Sequence, residues 1–297
     1  MNYKEISYNN HKALAITTNN VKMIILTDCG PRIAYCAPVA EKNLFFEDTQ
    51  ERGLDQWKLI GGHRVWPTRP DADESQDAYR PDNDPCTVSE NKEVLTITGA
   101  EDPVLKIKKG ISIKIIDDNT FAVTNFITNT GPMLYACGVW ALTCTDPGQG
   151  NTYAVPLGND NPHWNCFRII YPKAWAGHTS PVNDRQITMN DELLLLKPQG
   201  RETKRMLEAP AGIIAMKAED QKCIFAKKSE FIPNGNYPLG TNLAFYVGPD
   251  NFMVEIETMG VEQTLYPGET NTNQEIWAIT AGKEDIASAR DLKNIFR

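Results

Sequence analysis

Apolar and polar residues alternate with a period of two along most of the chain. In the segment GISIKII, Ile111, Ile113 and Ile115 alternate with polar residues, and an Asp-Asp-Asn turn separates this run from TFAVTNFITN. Such alternation is typical of strands with one buried face. Similar runs, separated by Gly, Pro and Asn, recur from KALAITT to QEIWAIT. The pattern predicts an all-β fold, a large antiparallel β-sandwich or barrel, rather than alternating strands and helices.

Helical periodicity is clear only in the C-terminal segment KEDIASARDLKNIFR. There Ile286, Ala289 and either Leu292 or Ile295 would form one apolar stripe, which predicts a short amphipathic helix. The predicted strands follow one another without a low-complexity linker. Residues 1–297 are therefore expected to form a single domain.

Composition narrows the class of protein. The 297 residues carry a formal net charge of −8, which argues against a nucleic-acid partner. No apolar run approaches the ~20 residues of a membrane span, and the first residues do not read as a secretory signal. The seven cysteines form no CxxC pair, so we expect free thiols rather than a metal site. A cytoplasmic protein without a membrane partner is the expectation.

Two long stretches, 48–85 and 146–184, interrupt the regular pattern and are interpreted as binding loops. They contain three of the four histidines and four of the six tryptophans: His63, His163, His178, Trp57, Trp66, Trp164 and Trp175. Aromatic rings with carboxylates, amides and guanidinium groups suit a sugar, which presents flat C–H faces and a rim of hydroxyls. For a single tryptophan, pinning a loop to the sandwich is the better explanation. The whole cluster instead indicates a carbohydrate site.

The segment NFMVEIETMGVEQTLYPGET contains a pair of acidic residues. In a strand, Glu255 and Glu257 would project from one face, while Val254 and Ile256 would project from the other. Repulsion between the two carboxylates would raise the pKa of at least one of them, which suits a general base near neutral pH. For Glu255 alone, a solvent-facing side chain is the simpler interpretation. Glu257 is the candidate base.

The segment LIGGHRVWP places a glycine pair before His63, Arg64 and Trp66. We interpret it as one wall of the sugar site, with the glycines allowing the chain to turn into it. A structural or turn histidine is the alternative for His63. The chain shows no P-loop, Rossmann fingerprint, nucleophile elbow or HExxH segment.

Three segments carry a resemblance: DCGPRIAYCAPVAEKNLFFED, LIGGHRVWP and VEIETMGVEQTLYPGET. With these the sequence resembles the galactose mutarotase-like superfamily, which includes the aldose 1-epimerases, and most of all a bacterial branch marked by a GGHRxW stretch. The resemblance implies a sandwich whose concave sheet binds a sugar, with Glu257 as the base. A second group, His63 here, would protonate the ring oxygen, and no cofactor is needed. The acidic loop RPDADESQD could hold Ca²⁺, but a solvated loop is the better explanation, so no metal site is expected.

The sequence departs from the superfamily pattern in two places. Where mutarotases have a histidine in an NHxYFNL-like stretch, this chain has GVWALTCTDPGQG, with Trp140 and Thr143. The acid must then be His63 or a loop histidine, or the protein only binds carbohydrate, as a sensor or accessory module would. Ile60 replaces the arginine of the sugar-phosphate branch, which weakens a phosphorylated-sugar interpretation.

The proposed ligand is a mono- or oligosaccharide. Rather than a sugar phosphate, Arg64, Arg69 and Arg185 could bind the carboxylate of a uronic acid. The residues expected to line the site are Arg64, Trp66, Glu255, Asp184, Arg185, Trp140, His163 and Trp164.

Overall fold

A computed structural model describes residues 2–54, 57–68, 80, 82–158, 167–170, 180–282 and 285–297. Two large antiparallel sheets, here called sheet I and sheet II, pack face to face. Strands are numbered along the chain. Eleven of the described strands form sheet I, and they lie in the order β1 (Tyr3–Tyr8), β2 (His11–Thr17), β3 (Val21–Leu26), β4 (Arg32–Pro38), β7 (Gly62–Thr68), β12 (Tyr135–Thr145), β21 (Val254–Met259), β20 (Leu243–Val247), β17 (Thr203–Glu208) and β14 (Arg168–Ile170), with β22 (Gln263–Leu265) paired to the start of β12.

Sheet II contains ten of the described strands. Their order is β15 (Ile187–Met189), β16 (Leu193–Leu196), β13 (Thr152–Pro156), β18 (Ile213–Ala218), β19 (Cys223–Ser229), β23 (Thr270–Ala281), β11 (Thr120–Asn129), β10 (Ile107–Ile115), β9 (Val94–Glu101) and β8 (Thr87–Asn91). The described chain also contains a hairpin of β5 (Gly53–Leu54) and β6 (Trp57–Lys58), two one-turn 3₁₀ helices (Pro238–Gly240 and Pro249–Asn251), and the helix α1 (Ala289–Asn294).

The main core lies between the inner faces of the two sheets. On β10, Ile111 and Ile113 are fully buried, whereas Lys114 is exposed, because alternate side chains of a strand point to opposite faces. They belong to a continuous cluster that includes Ile16, Ile25, Val139 and Ile256 of sheet I and Val123, Phe225, Trp277 and Ile279 of sheet II. The predicted antiparallel β-sandwich is confirmed.

The predicted C-terminal helix is also confirmed. The Ser288 side chain caps α1 by accepting a hydrogen bond from the Asp291 amide, a common N-terminal arrangement. Ile286 and Leu292 are buried in a second apolar cluster with residues of sheet II, Ala154, Leu193, Ile213, Ala215, Ile224 and Ala226. The segment therefore covers the outer face of sheet II. In the described part of the chain, no helix has the length and apolar character needed to cross a membrane.

The two stretches interpreted as loops contain more regular structure than expected. The stretch 48–85 includes β5, β6 and β7, and the stretch 146–184 includes β13 and β14. β7 lies in the middle of sheet I beside β12, and β12 pairs with β21 on its other edge. GGHRVWP is therefore a central strand rather than a loop wall, and this decides where each of its side chains points.

Candidate functional site

The glycine pair before His63 permits a tight turn into β7. Ile60, Gly61 and Gly62 have positive φ values of 56°, 96° and 73°. A Cβ atom on Gly61 would lie 2.0 Å from the Phe46 carbonyl oxygen, and one on Gly62 would lie 2.4 Å from that of Ile33. Only glycine tolerates both the left-handed backbone and these approaches. The expectation that the glycines turn the chain into the site agrees with this geometry.

The register of three neighbouring strands brings several predicted site residues onto one face. Arg64 of β7 lies beside Leu142 of β12, which lies beside Glu257 of β21. One step along, Trp66, Trp140 and Met259 form the next row. Trp66, Trp140, Leu142 and Met259 pack together in an apolar cluster separate from the core between the sheets. These side chains therefore lie on the outer face of sheet I, the face turned away from sheet II.

Arg64 is stacked among tryptophans on this face. Its guanidinium carbon lies 4.7 Å from the ring centroid of Trp66 and 5.2 Å from that of Trp57, distances typical of cation–π contacts. Trp66 in turn lies 5.6 Å from Trp140, edge to face. Arg64 Nη2 donates to the Lys58 carbonyl at 2.9 Å and to Asp82 Oδ1 at 3.0 Å. Arg64 Nε and Nη1 have no hydrogen-bond partner among the residues that the structure describes.

A compact group of cations surrounds Asp82. Arg32, which is fully buried, lies 3.3 Å from this carboxylate and donates a 2.6 Å hydrogen bond to the Gly61 carbonyl. Burial and the neighbouring Arg32 lower the pKa of Arg64 to about 10. Burial also lowers the pKa of Lys109, although Asp82 opposes that shift, and the amine of Lys109 has no hydrogen-bond partner among the described residues. The Asp82 carboxylate thus interacts electrostatically with three buried cations, Arg64, Arg32 and Lys109.

Glu257 is a buried carboxylate held by two donors. Trp140 Nε1 donates to its Oε2 atom at 2.8 Å, and Lys204 Nζ lies 2.8 and 2.9 Å from its two oxygens. Lys204 comes from β17, two strands away in sheet I, and its amine lies 5.1 Å from the Trp140 ring centroid.

Glu255 lies on the same face in different surroundings. It sits between Cys144 of β12 and Tyr246 of β20, and Cys144 Sγ donates to its Oε1 atom at 3.5 Å. Among the residues that the structure describes, none forms an ion pair with Glu255. Burial, followed by repulsion from Glu257, raises the pKa of Glu255 to about 7. The shared face follows the alternation in the sequence, whereas the raised pKa belongs to Glu255 and not to the candidate base Glu257.

His63 points to the opposite side of sheet I. Its Nδ1 atom lies 2.8 Å from Thr143 Oγ1, its Nε2 atom lies 2.8 Å from Asn125 Oδ1, and its ring packs edge-on against Trp277 of sheet II. It is fully buried between the sheets, and burial lowers its pKa to about 4. The expectation that His63 and Glu257 converge on one cleft is wrong. Adjacent residues of a strand face opposite ways, so His63 points away from the face that Arg64 shares with Glu257.

Other expected lining residues fall elsewhere. Asp184 is buried in a local turn, where it accepts hydrogen bonds from the Gln186 amide and Gln186 Nε2, and Arg185 is exposed. Neither is bonded to the carboxylates or tryptophans of sheet I in the part of the chain described, so their expected place in the site is not supported. His163 and Trp164 lie outside the described residues.

Two important residues were not predicted. Lys204 lies in the strand TKRMLE, where the local sequence signal is a lysine at the position that alternates with Met206. Asp82 lies in an acidic stretch, and nothing in that stretch distinguishes it from its neighbours. We call the group Arg64, Trp66, Trp140, Lys204, Glu255 and Glu257 the outer-face cluster. It combines aromatic surfaces, two cations and two carboxylates, which is the mixture expected for a carbohydrate site.

Comparisons with known proteins support the fold. No family model matches the sequence, and no curated protein matches it. A galactose mutarotase related enzyme from Lactobacillus acidophilus has a similar structure, with a TM-score of 0.58, 12% identity, and coverage of 92% of this chain and 99% of that one. A galactose mutarotase-like protein from Lactobacillus casei is also similar, with a TM-score of 0.56, 12% identity, and coverage of 90% of this chain and 100% of that one.

The chain therefore has the galactose mutarotase-like fold that the resemblance implied. A TPR-domain containing protein from Parabacteroides distasonis is also similar, with a TM-score of 0.63 and 13% identity. The match covers 93% of this chain but 48% of that one. At these identities the likeness establishes the fold alone, so the activity has to be argued from the site.

Proposed function

We propose that the protein binds a mono- or oligosaccharide at the outer-face cluster and interconverts the anomers of a reducing sugar, as an aldose 1-epimerase does. The observation that carries this proposal is the row of two carboxylates beside Trp66 and Trp140 on one face of sheet I. The indole rings would stack on the C–H face of the sugar, and the charged groups would hydrogen-bond its hydroxyls. The reaction needs no cofactor.

Glu257 is the proposed base of the reaction. Lys204 and the Trp140 indole donate hydrogen bonds to its carboxylate and fix its orientation. It would take the proton from the anomeric hydroxyl as the ring opens, and return it after rotation about the C1–C2 bond. A carboxylate anchored in this way loses little orientational freedom when the sugar binds.

An acidic sugar is the finer proposal. Arg64 stacks on Trp66 with two nitrogen atoms that make no hydrogen bond within the structure. Arg32 and Lys109 add positive charge around the single carboxylate of Asp82. The carboxylate of a uronic acid would satisfy the free donors of Arg64 and balance this charge. His163 and Trp164 remain proposed lining residues. We also keep the cytoplasm as the proposed location, since the six described cysteines are free thiols, five of them buried.

A non-catalytic carbohydrate-binding protein is the second candidate. It is favoured by one observation, namely that both oxygens of Glu257 already accept hydrogen bonds from Lys204. Oxygen atoms engaged in this way are less accessible to the hydroxyl proton of a sugar. Binding to the tryptophans and charged groups of the cluster requires no proton transfer.

Anomer interconversion distinguishes the two candidates. Proton NMR would follow freshly dissolved α-anomers of D-glucose, D-galactose, D-glucuronate and D-galacturonate with the wild type, with Glu257→Gln and with Glu257→Asp. We expect acceleration of at least one sugar, strongest for a uronate, and a loss of roughly 100-fold or more in Glu257→Gln. Glu5→Gln, an exposed position on the edge strand β1, is the charge-matched control and should keep the full rate.

Folding has to be checked by circular dichroism, because Glu257→Gln removes the carboxylate charge that faces the buried Lys204. Sugar-dependent shifts in the protein spectrum without acceleration would favour the binding protein. Equal rates for the wild type and a folded Glu257→Gln would exclude Glu257 as the base. A preference for neutral aldoses over uronates would remove the acidic-sugar proposal alone.

A further inference from the structure

Ring opening requires a proton donor in addition to a base. His63 cannot serve, because it is buried between the sheets, on the other side of sheet I from Glu257. On the outer face, Tyr246 donates its hydroxyl proton to Glu202 at 2.6 Å, and Lys204 is ion-paired with Glu257. The Cys144 thiol has a pKa raised well above its ordinary value by burial, which makes it a poor acid.

Glu255 differs from each of these groups. It projects from the same face as Glu257, two residues along β21, which corresponds to about 6.6 Å between their Cα atoms. It has no cationic partner among the described residues, and it borders an apolar cluster that contains Leu59, Cys144, Tyr246 and Met253. Its one hydrogen bond to a described residue is the weak one from the Cys144 thiol.

We infer that Glu255 is the proton donor of the outer-face cluster, which delivers its proton to the ring oxygen while Glu257 removes the proton of the anomeric hydroxyl. This inference rests on the proposed function. Two carboxyl groups in contrasting surroundings can divide the roles of acid and base between them. Here the contrast is between Glu257, which is ion-paired with Lys204, and Glu255, which has no ion pair among the described residues and borders an apolar wall.

The proton balance closes over one turnover. In the opening step, the C1–O5 bond breaks, a C1=O double bond forms, O5 gains the proton of Glu255, and Glu257 gains the proton of O1. After rotation about the C1–C2 bond, O5 attacks the other face of C1. Glu255 then recovers the proton from O5, and Glu257 returns its proton to O1. Neither an oxidant nor a second reactant is required.

The charged and titratable groups near Glu255 come from five strands of sheet I, namely β7, β12, β17, β20 and its own strand β21. Burial and the negative charge of Glu257 on the same strand raise the pKa of Glu255, whereas Lys204 of β17, the Cys144 thiol of β12 and Arg64 of β7 lower it. Tyr246 of β20 lies beside it, bonded to Glu202. The resulting pKa of about 7 means that a large fraction of the carboxyl groups is protonated at neutral pH.

The protonation state of Glu255 can be measured directly. In protein labelled with ¹³C at the glutamate carboxyl carbons, one resonance should titrate with a midpoint near pH 7 and should be missing from Glu255→Gln. Cys144→Ala removes the thiol donor and should move this midpoint upwards, whereas Cys144→Ser supplies a stronger donor and should move it downwards. A midpoint near the ordinary value of about 4.3 would overturn the inference.

The kinetic test uses whichever of the four sugars the wild type accelerates. The rate should fall about tenfold per pH unit above pH 7 as the donor ionises, and Glu255→Gln should lose roughly 100-fold together with this limb of the profile. Glu255→Asp, which keeps a carboxyl group, should retain part of the rate. A folded Glu255→Gln that keeps the full rate and the limb would overturn the inference and leave the base role of Glu257 intact. No acceleration by the wild type would instead overturn the proposed function, and the donor role with it.

Discussion

Two of the described groups of buried charge lie on opposite faces of sheet I. On the outer face, Glu257 is paired with Lys204 beside the unpaired Glu255. On the inner face, Lys227 Nζ lies 2.7 Å from Glu275 and also donates to Thr143, which in turn contacts His63. The inner group is closed by hydrogen bonds and shielded by the core, so we assign it a structural role. The outer group keeps the donors and carboxylate that a ligand could use.

His63 should make the protein sensitive to mild acid. Its pKa is about 4 in the folded protein and about 6.5 when exposed, so the unfolded chain binds more protons between these values. Stability should therefore fall as the pH drops through this range, by on the order of 2 kcal/mol between pH 8 and pH 5 from this group alone. Urea denaturation of the wild type and of His63→Gln would measure the contribution.

The variant His63→Gln loses the titrating ring, so its stability should depend less steeply on pH over the same range. Measurement at pH 8, where the histidine is neutral in both states, gives the cost of the substitution itself. Parallel pH profiles for the two proteins would contradict the assignment of a neutral, buried His63.

At the scale of the strands, alternation predicts which side chains share a face, but pairing decides what lies opposite them. Gly110 of β10 is paired with Phe126 of β11, and a Cβ atom on Gly110 would lie 1.9 Å from Phe126 Cζ. The aromatic ring therefore occupies the space above the glycine. Glycine weakens a strand interior unless something else packs there, and here Phe126 does so.

Replacement of Gly110 by alanine should displace the Phe126 ring and lower the free energy of unfolding by about 1–3 kcal/mol. The double variant Gly110→Ala/Phe126→Ala should be less destabilised than the sum of the two single variants, because the clash exists only when both side chains are present. Urea denaturation of the four proteins would give the coupling energy. If the two losses in the free energy of unfolding simply add, the position of the Phe126 ring does not depend on the glycine at 110.

At the scale of the whole molecule, the outer faces of the two sheets are used differently. The segment that ends in α1 covers the outer face of sheet II with Ile286 and Leu292. The outer face of sheet I instead contains the outer-face cluster. Stabilisation by the C-terminal segment and binding at the cluster should therefore be separable. The single-domain interpretation of residues 1–297 stays a prediction.

A truncation after Gly282 should test this separation. It removes Ile286 and Leu292 from their contacts and exposes the apolar residues beneath them, so the free energy of unfolding should fall by about 4 kcal/mol. Urea denaturation would measure the loss, and sugar titrations below the transition should give unchanged affinity. Loss of affinity in the folded truncated protein would show that the two outer faces are coupled.

Part of the candidate site was predictable from local patterns. Period two places Glu255 and Glu257 on one face, and it places Arg64 and Trp66 on one face, whatever the rest of the chain does. The same rule separates His63 from Arg64, but only once the segment is recognised as a strand. Its glycine pair and position in a polar region indicated a loop, so the histidine was assigned to the wrong side of the sheet.

The sequence by itself determined the sandwich, the C-terminal helix and the faces shared by the acidic pair, because each depends on periodicity within a short segment. The tertiary structure alone decided which partners these residues meet. Lys204 reaches Glu257 from two strands away, Arg64 meets Asp82 across 18 positions, and Cys144 lies beside Glu255 across 111. These contacts follow from strand order and register, which depend on the packing of the whole chain rather than on any local pattern.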